Sequence, residues 1–424
     1  MAGNREVITG SDFKRMVTGA YSEFLLEYEH INQLNRSSSS DSSGVPGTNI
    51  LRTMGAAVMP LTDVKDESIG GLAQRVASAA ILGARGNAGV VLSQLFRGIA
   101  KGLSGKYNAT SSEFGKAFQY GILYGQRVLP EEPERPIIAA ARAVAKGAYQ
   151  AVRANLPISE ILMAAIAAGQ KSMAHGPVID AGAQIMIVFL QGCLKGLDGN
   201  FVSPVLNFST GFKSQQNLPN PKADRVQPYC MTFRVENTKA DSAEVEKSLQ
   251  EDSSFVLVER DGAALLIHLH TAHPGYVIEQ IVGMGNLRDV RILNMSESHA
   301  LATVHAALMP VAVLAVAENA EWAERLQKNG ATVIVEGSRA DSPSVGELIN
   351  AAHSDIAASY VMLSNSYSLR LVLQQVKRIL GSRVELVQSR SSEEQLAALK
   401  VFGVDNAARE IAEQMREAVE AMRG

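Results

Sequence analysis

The residues best suited to chemistry in this chain lie in one short glycine-rich stretch. Gly83, Gly86 and Gly89 fall within seven residues, with Asn87 among them, and an apolar segment with helical spacing follows. Glycine accepts a positive φ, and the N–H groups and dipole at the start of a helix attract anions. The stretch therefore predicts a phosphate-binding turn. A tight helix–helix turn without a ligand accounts for the same glycines, and both interpretations stay open at this point.

One cysteine and two histidines form a second candidate site. Cys230 begins a predicted strand, and His268 and His270 end another, on the same side of it. In a β-α-β-β-α-β arrangement the first and third strands are antiparallel neighbours, so these strand ends meet. A thiolate and two imidazoles on one face predict a zinc site. His273 is either a fourth ligand or a cap of the next helix. Because no Glu lies beside the histidines, we expect a structural or docking role for the zinc.

Composition limits the class of protein. A length of 424 residues predicts about two to four domains, and 46% hydrophobic with 20% charged residues indicates a globular chain. The net charge of −3 gives no reason to expect nucleic acid as a partner. Two cysteines, Cys193 and Cys230, exclude a disulfide framework. We find no signal-peptide core and no apolar run of membrane-spanning length, so a cytoplasmic protein is expected.

Residues 1–200 show helical periodicity and predict an all-α domain with function in the loops at one end. No strand-like alternation is expected there. The loop 36–47 is rich in Ser, Gly and Pro, and Thr48 and Asn49 follow it at a position suited to helix capping. The eight predicted helices cover residues 10–34, 49–59, 67–82, 89–104, 111–129, 136–153, 157–174 and 180–197.

The remainder of the chain divides into three predicted parts. Residues 201–228 are rich in Pro, Ser, Gln and Asn and are typical of a linker. Residues 229–296 predict the ferredoxin-like β-α-β-β-α-β domain that carries the zinc residues. Residues 297–424 alternate apolar strands with amphipathic helices and predict a doubly wound α/β domain. The loops after its strands (336–339, 364–366 and 389–391) are interpreted as ordinary polar loops in preference to ligand-binding ones.

Several motifs together resemble the nucleotide-binding domain of dihydroxyacetone kinases. They are Ile31-Asn32-Gln33-Leu34-Asn35, Gly47-Thr48-Asn49-Ile50, the stretch 83–94, and Ile179-Asp180-Ala181-Gly182-Ala183. Tyr229-Cys230 and the segment 267–275 extend the likeness, so the whole chain resembles the kinase subunit of bacterial fatty acid kinase. The resemblance implies an N-terminal barrel of eight antiparallel helices and a zinc-carrying middle domain. It also implies that Asp180 helps to close an ATP site and that the nucleotide is held by Thr48, Asn49, Gly83, Gly86, Asn87 and Gly89.

The expected magnesium loop departs from the family pattern. The family holds two magnesium ions through aspartates in a loop of the type Asp-Gly-Asp-Thr-Gly-Thr-Asn. Counted back from Thr48 without gaps, both aspartates are replaced here, by Ser43 and Val45. Asp41 is the nearby carboxylate that would have to supply part of the magnesium shell. Magnesium needs hard oxygen ligands and phosphoryl transfer depends on the metal, so the sequence favours impaired chemistry. Ala88 likewise stands where the family usually has a serine.

The sequence leaves two classes of function open. The first is an ATP-dependent phosphotransferase that, by resemblance, passes phosphate to the carboxylate of an acyl chain presented by a fatty-acid-binding partner protein. The second is a catalytically inactive, pseudokinase-type protein that holds nucleotide or docks a partner. A kinase acting on dihydroxyacetone is a third candidate, but no residue identifies a sugar site. The resemblance also implies a homodimer.

Overall fold

The computed structural model divides into two compact units: Met1–Val205 together with Ala306–Gly424, and Leu206–His305. The predicted linker 201–228 and Asp41 lie outside the described part of the chain, which comprises residues 7–38, 44–62, 68–129, 136–174, 180–200, 229–238, 240–249, 253–261, 264–271, 273–294, 309–337, 342–352, 357–403 and 406–423.

The N-terminal half of the first unit contains all eight predicted helices. The second and fourth begin three residues earlier than predicted, because Pro46 and Gly86 start helical turns that periodicity alone does not reveal. The helices are α1 (Gly10–Ser38), α2 (Pro46–Val58), α3 (Ile69–Leu82), α4 (Gly86–Gly102), α5 (Ser111–Gln126), α6 (Pro136–Arg153), α7 (Ile158–Met173) and α8 (Ala181–Asp198).

The expectation that no strand interrupts this region was wrong. Two strands of two residues each, β1 (Val7–Ile8) and β2 (Ala109–Thr110), pair in antiparallel orientation. Each is the extended segment that leads into a helix, and Thr110 forms a capping box with Glu113 at the start of α5. Two residues are too few to produce an alternating pattern, so the sequence carries no strand signal here.

Helices α1 and α8 pack with their backbones in contact. A Cβ added at Gly19 would lie 2.4 Å from the carbonyl oxygen of Gly192 and 2.6 Å from the Cα of Gly196. Lys195 on α8 reaches across to Glu23 on α1, with its Nζ 2.6 and 2.7 Å from the two carboxylate oxygens. The glycines therefore set the distance between these two helices.

The second unit contains a four-stranded antiparallel sheet with two helices on one face. Its elements are β3 (Tyr229–Glu236), α9 (Ser242–Leu249), β4 (Ser253–Asp261), β5 (Ala264–Thr271), α10 (Pro274–Val282) and β6 (Asn286–Asn294). The strand order is β4-β5-β3-β6. Alternate residues of β3 and β5, among them Phe233 and Ile267, are buried together with Val245 of α9 and Val277 of α10. The remaining positions of these strands lie on the opposite face of the sheet.

The C-terminal half of the first unit is built on a four-stranded parallel sheet with the order β10-β9-β7-β8. Buried apolar clusters cover both of its faces: Val313 of β7 belongs to one and Leu314 to the other, as expected for parallel strands. The elements are β7 (Met309–Ala317), α11 (Ala320–Lys328), β8 (Val333–Glu336), α12 (Val345–Ala352), β9 (Ala357–Ser364), α13 (Arg370–Leu380), β10 (Val384–Gln388), α14 (Ser392–Lys400) and α15 (Ala408–Ala421).

The helical and α/β halves of the first unit share one apolar cluster. Ala84 and Val90, from the glycine-rich stretch, are buried with Val345 and Leu348 of α12 and Val372 of α13. The C-terminal α/β region therefore packs directly on the part of the helical region in which the phosphate-binding turn was predicted.

Replacement of Gly19 by alanine is expected to destabilise the protein. The new Cβ would meet backbone atoms of α8 at 2.4–2.7 Å, and such overpacking costs about 1–3 kcal/mol. Urea unfolding followed by circular dichroism measures the loss. Gly403→Ala is the matched control, because among the described residues no heavy atom other than those of its chain neighbours lies within 4 Å of its added Cβ. Equal stability of the two variants would contradict the close packing of α1 and α8.

Candidate functional site

The first turn of α2 is capped by a side chain from α1. Oδ1 of Asn32 accepts the N–H groups of Gly47 at 2.8 Å and Thr48 at 3.3 Å, and its Nδ2 donates to Oγ1 of Thr48 at 2.9 Å. Val45 occupies the N-cap position and makes no side-chain cap. The expected capping position of Thr48 and Asn49 was therefore wrong: both lie inside the first turn, and Asn32 supplies the cap.

The glycine-rich stretch forms the corner between α3 and α4 and packs on α2. A Cβ at Gly83 would lie 2.2 Å from Cβ of Ala56, and one at Gly89 would lie 2.4 Å from Oγ1 of Thr53. That hydroxyl accepts the N–H of Arg85 at 3.1 Å. Gly83 and Gly89 are therefore needed for close helix packing, which accounts for their presence without a ligand.

Asn49 and Gly86 meet at the start of α4. Gly86 has a φ of +59°, and a Cβ there would lie 2.4 Å from Nδ2 of Asn49. Asn49 is only 3% exposed, and its Oδ1 has no hydrogen-bond partner among the described residues. A buried amide oxygen without a partner is costly, and polar groups of this kind are often completed by a bound molecule. Of the predicted nucleotide residues, the structure thus brings Asn49 together with Gly86.

Two arginines and a glutamate set the charge beside this corner. The pKa of the Arg52 guanidinium is lowered, first by burial and second by repulsion from Arg85, while Glu347 of α12 acts in the opposite direction. Nη2 of Arg85 lies 2.6 Å from Oε1 of Glu347. Two cations and one carboxylate leave a net positive charge among these three groups, which favours anions.

The residue that follows Gly86, Asn87, contacts the α/β region. Its Nδ2 donates to the carbonyl oxygen of Tyr367 at 3.1 Å, and its Oδ1 accepts the N–H of Leu371 at 3.0 Å. Farther along α4, Nε2 of Gln94 donates to Oε1 of Gln375 at 3.2 Å, and both side chains are buried. The predicted phosphate-binding stretch is therefore also an interface with the C-terminal region.

Asp180 caps α8. Its Oδ1 accepts the N–H of Ala183 at 2.9 Å, in the geometry of an N-cap. Helix capping therefore explains why an aspartate stands at this position, and no bound ligand is needed to explain it.

The carboxylates that the family uses for magnesium are missing from the described part of the loop before α2. Val45 stands at one of the two positions, whereas Ser43 and Asp41 lie outside the described residues. Within the described ranges, no three His, Cys, Asp or Glu side chains are grouped so as to hold a metal ion. The described residues at this end of α2 therefore offer magnesium no cluster of carboxylates.

Backbone register brings the three predicted zinc residues onto one face of the antiparallel sheet. Cys230 pairs with His270 across β3 and β5, and His268 pairs with Thr232 two positions away. Their neighbours in sequence face α9 and α10, so these three positions lie on the opposite face. His273 occupies the N-cap position of α10, is exposed, and makes no side-chain cap. Capping by its side chain, one of its two expected roles, is therefore not observed.

The loops after the parallel strands bond mainly to one another. The carbonyl oxygen of Ser364 accepts the N–H of Ser389 at 3.0 Å, and that of Ser366 accepts Nε2 of Gln388 at 3.0 Å. The N–H of Arg390 donates to Oε2 of Glu394 at 2.7 Å. These bonds agree with the interpretation of 364–366 and 389–391 as ordinary polar loops, whereas residues 338 and 339 of the loop 336–339 lie outside the described residues.

Sequence reasoning missed Arg85, Asn32 and Glu347 as functional candidates. Asn32 lay within a motif used for the resemblance, and Arg85 lay within the glycine-rich stretch, but neither role is visible without the fold. Ser344 and Glu347 have the spacing of a capping box, which could have located the start of α12.

Three protein-family models match the chain in succession. The DAK2 domain matches residues 46–195, the middle domain of FakA-like fatty acid kinase proteins matches residues 227–302, and the C-terminal domain of the same proteins matches residues 312–424. The first covers the helical region from α2 to α8 without α1, the second covers the antiparallel sheet, and the third covers nearly all of the parallel-sheet region.

Curated relatives match most of the chain at low identity. An uncharacterized protein of Staphylococcus epidermidis is 24% identical over 410 residues, which are 89% of this chain and 74% of the relative. Protein YloV of Bacillus subtilis is 24% identical over 412 residues, 90% of this chain and 74% of its own. An uncharacterized protein of Staphylococcus aureus is also 24% identical, over 404 residues that are 89% of this chain and 74% of the relative. Among the described residues, no helix combines the length and apolar character required to cross a membrane.

Asp180 offers a test of capping against charge. Asp180→Ala removes the N-cap of α8 and is expected to cost about 1 kcal/mol of unfolding free energy. Asp180→Asn keeps an oxygen that accepts the Ala183 N–H and is expected to retain the stability of the unsubstituted protein. Chemical denaturation of both variants measures the difference. A loss in Asp180→Asn as large as that in Asp180→Ala would show that the negative charge, not the cap, is what matters.

Proposed function

We propose that this chain, a divergent member of the FakA-like fatty acid kinase family, binds adenine nucleotide where α2 meets α4. We also propose that it has lost the phosphoryl transfer that the family carries out with two magnesium ions. The observation that carries the proposal is Val45 at the N-cap of α2, where the family pattern has a magnesium-binding aspartate. The nucleotide would be held without the metal shell that offsets charge on the transferring phosphate.

The chemistry of the α2–α4 junction supports nucleotide binding. Asn49 offers a buried amide oxygen that has no partner within the described part of the chain, a suitable acceptor for a ligand N–H or hydroxyl group. The positive φ of Gly86 lets the backbone at the start of α4 approach a ligand closely. Arg52 and Arg85 supply positive charge beside the same corner. The N-terminus of α4 favours the phosphates of the nucleotide. The proposed binding site also includes Thr48, Gly83, Asn87 and Gly89. Asp180 helps to close this site.

An active phosphotransferase is the second candidate function. Asn49 approaches Gly86 closely, and this contact would position a nucleotide in an active enzyme as well. In this case Asp41 would supply a carboxylate to magnesium, and the acceptor would be an acyl carboxylate presented by a fatty-acid-binding partner. Replacement of both family aspartates weighs against this candidate.

We further propose that the middle region is a ferredoxin-like zinc domain and that the helical region is an eight-helix barrel. The donor set of one Cys and two His suits zinc, and the register places the three residues on one face. When bound, zinc would hold the ends of β3 and β5 together. The domain would then form contacts with other protein chains, including a second copy of this chain in a homodimer. The protein is proposed to work in the cytoplasm.

Titration calorimetry with ATP tests the nucleotide proposal. We expect binding whose affinity is the same with and without magnesium, and no transfer of phosphate to a fatty acid. Asn49→Ala should weaken binding about tenfold because it removes a buried polar contact, whereas the exposed Asn200→Ala should not. Binding that requires magnesium, together with formation of an acyl phosphate, would favour the active phosphotransferase. No binding would refute the proposal that the unsubstituted protein holds nucleotide.

Metal analysis of the purified protein tests the zinc proposal. We expect about one zinc per chain, lost in Cys230→Ser and in His268→Ala. Cys193→Ala is the control, since Cys193 is buried in α8 and belongs to the other unit. Retention of zinc in Cys230→Ser, or its loss in the control alone, would contradict the assignment.

A further inference from the structure

Two segments of the α/β region hold the start of α4. The N–H of Val345 donates to the carbonyl oxygen of Ala84 at 3.1 Å, and Arg85 forms an antiparallel bridge with Ser344. The glycine corner is therefore joined by main-chain pairing to residues more than 250 positions later in the chain.

The first segment presents a carboxylate to Arg85. Nη2 of Arg85 lies 2.6 Å from Oε1 of Glu347, and its Nη1 donates to the carbonyl oxygen of Ser342 at 2.5 Å. The second oxygen of Glu347 accepts the N–H of Ser344 at 2.8 Å, and Oγ of Ser344 accepts the N–H of Glu347 at 3.1 Å. Glu347 thus closes a capping box on α12 and also pairs with the cation within the glycine-rich stretch.

The second segment uses Asn87 as a helix cap. Leu369, at the N-cap position of α13, makes no side-chain cap. Oδ1 of Asn87 accepts the N–H of Leu371 in the first turn of α13, and Nδ2 of Asn87 donates to the carbonyl oxygen of Tyr367. A residue of the helical region therefore provides the cap that α13 lacks, and both polar atoms of its amide are engaged.

We propose that the α/β region is a displaceable internal ligand of the glycine-rich stretch, in which Glu347 and the start of α13 compete with the phosphates of a nucleotide for Arg85 and Asn87. This inference rests on the proposed function and adds regulation to it. A phosphate group that binds to Arg85 and Asn87 must weaken the bonds of these two side chains to the α/β region. By linkage, whatever loosens that region must strengthen nucleotide binding by the same factor.

The substitution Glu347→Gln tests the competition without removing the cap. Glutamine at this position still completes a capping box with Ser344, so the fold is expected to be retained, but it no longer offers a negative charge to Arg85. We expect ATP to bind about fivefold more tightly to Glu347→Gln than to the unsubstituted protein, the scale of a partly exposed ion pair. The control is Glu324→Gln, which breaks the exposed pair of Glu324 with Lys328 within α11.

Hydrogen exchange provides the reciprocal measurement. Saturating ATP is expected to speed exchange of the Leu371 amide about fivefold, because its acceptor Asn87 is drawn to the nucleotide. The amide of Glu113, whose acceptor is Oγ1 of Thr110 at the start of α5, is the internal reference and should not change.

The outcomes separate this inference from the function on which it rests. Tighter ATP binding in Glu347→Gln but not in Glu324→Gln supports the competition. ATP binding by Glu347→Gln when the unsubstituted protein binds no ATP supports it as well. Nucleotide binding that is unchanged or weaker in Glu347→Gln overturns the competition and leaves the proposed function standing. Absence of binding in both proteins overturns both proposals.

Discussion

The close approach of α2 to the α3–α4 corner is the constraint on which the rest of this region depends. Thr53 is fully buried there, accepts the N–H of Arg85, and donates to the carbonyl oxygen of Asn49. Gly89 must lack a side chain because Thr53 occupies its space. This contact fixes the direction in which α4 leaves the corner. It thereby places Arg85 and Asn87 where the α/β region meets them, so one packing requirement serves both the candidate nucleotide site and the domain interface.

Two helix starts in this unit receive their caps from a distant element. Val45 and Leu369 occupy the N-cap positions of α2 and α13 and offer no side-chain oxygen. Asn32 of α1 satisfies the first helix and Asn87 of α4 the second. Exposed N–H groups at a helix start need a partner, so these amides bind the elements together while they complete the helices. The stability of each helix therefore depends on the packing of its neighbour.

Packing and chemistry have separable requirements in this fold. The spacing of the glycines allows the helices to pack closely. Close packing requires these glycines whether or not a phosphate is bound. Magnesium binding depends instead on carboxylates in the loop before α2, and the packing of the glycines does not require them. A chain can therefore keep the close contact of Gly86 with Asn49 while Val45 stands where the resemblance to the family implies a metal ligand. For this reason the glycine motif alone is weak support for activity.

The sequence by itself determined the eight helices of the N-terminal region and the order of the longer strands, but not the two-residue strands β1 and β2. Helical periodicity located α1 to α8, and apolar runs located β7 to β10, because both signals are local in the chain. It also located Cys230, His268 and His270 on strands that pair in register. Only the tertiary structure decided that the glycine corner is an interface and that Asn32 and Asn87 are caps. Arg85 and Glu347 are 262 residues apart, and a contact between such distant residues leaves no periodic trace in either segment.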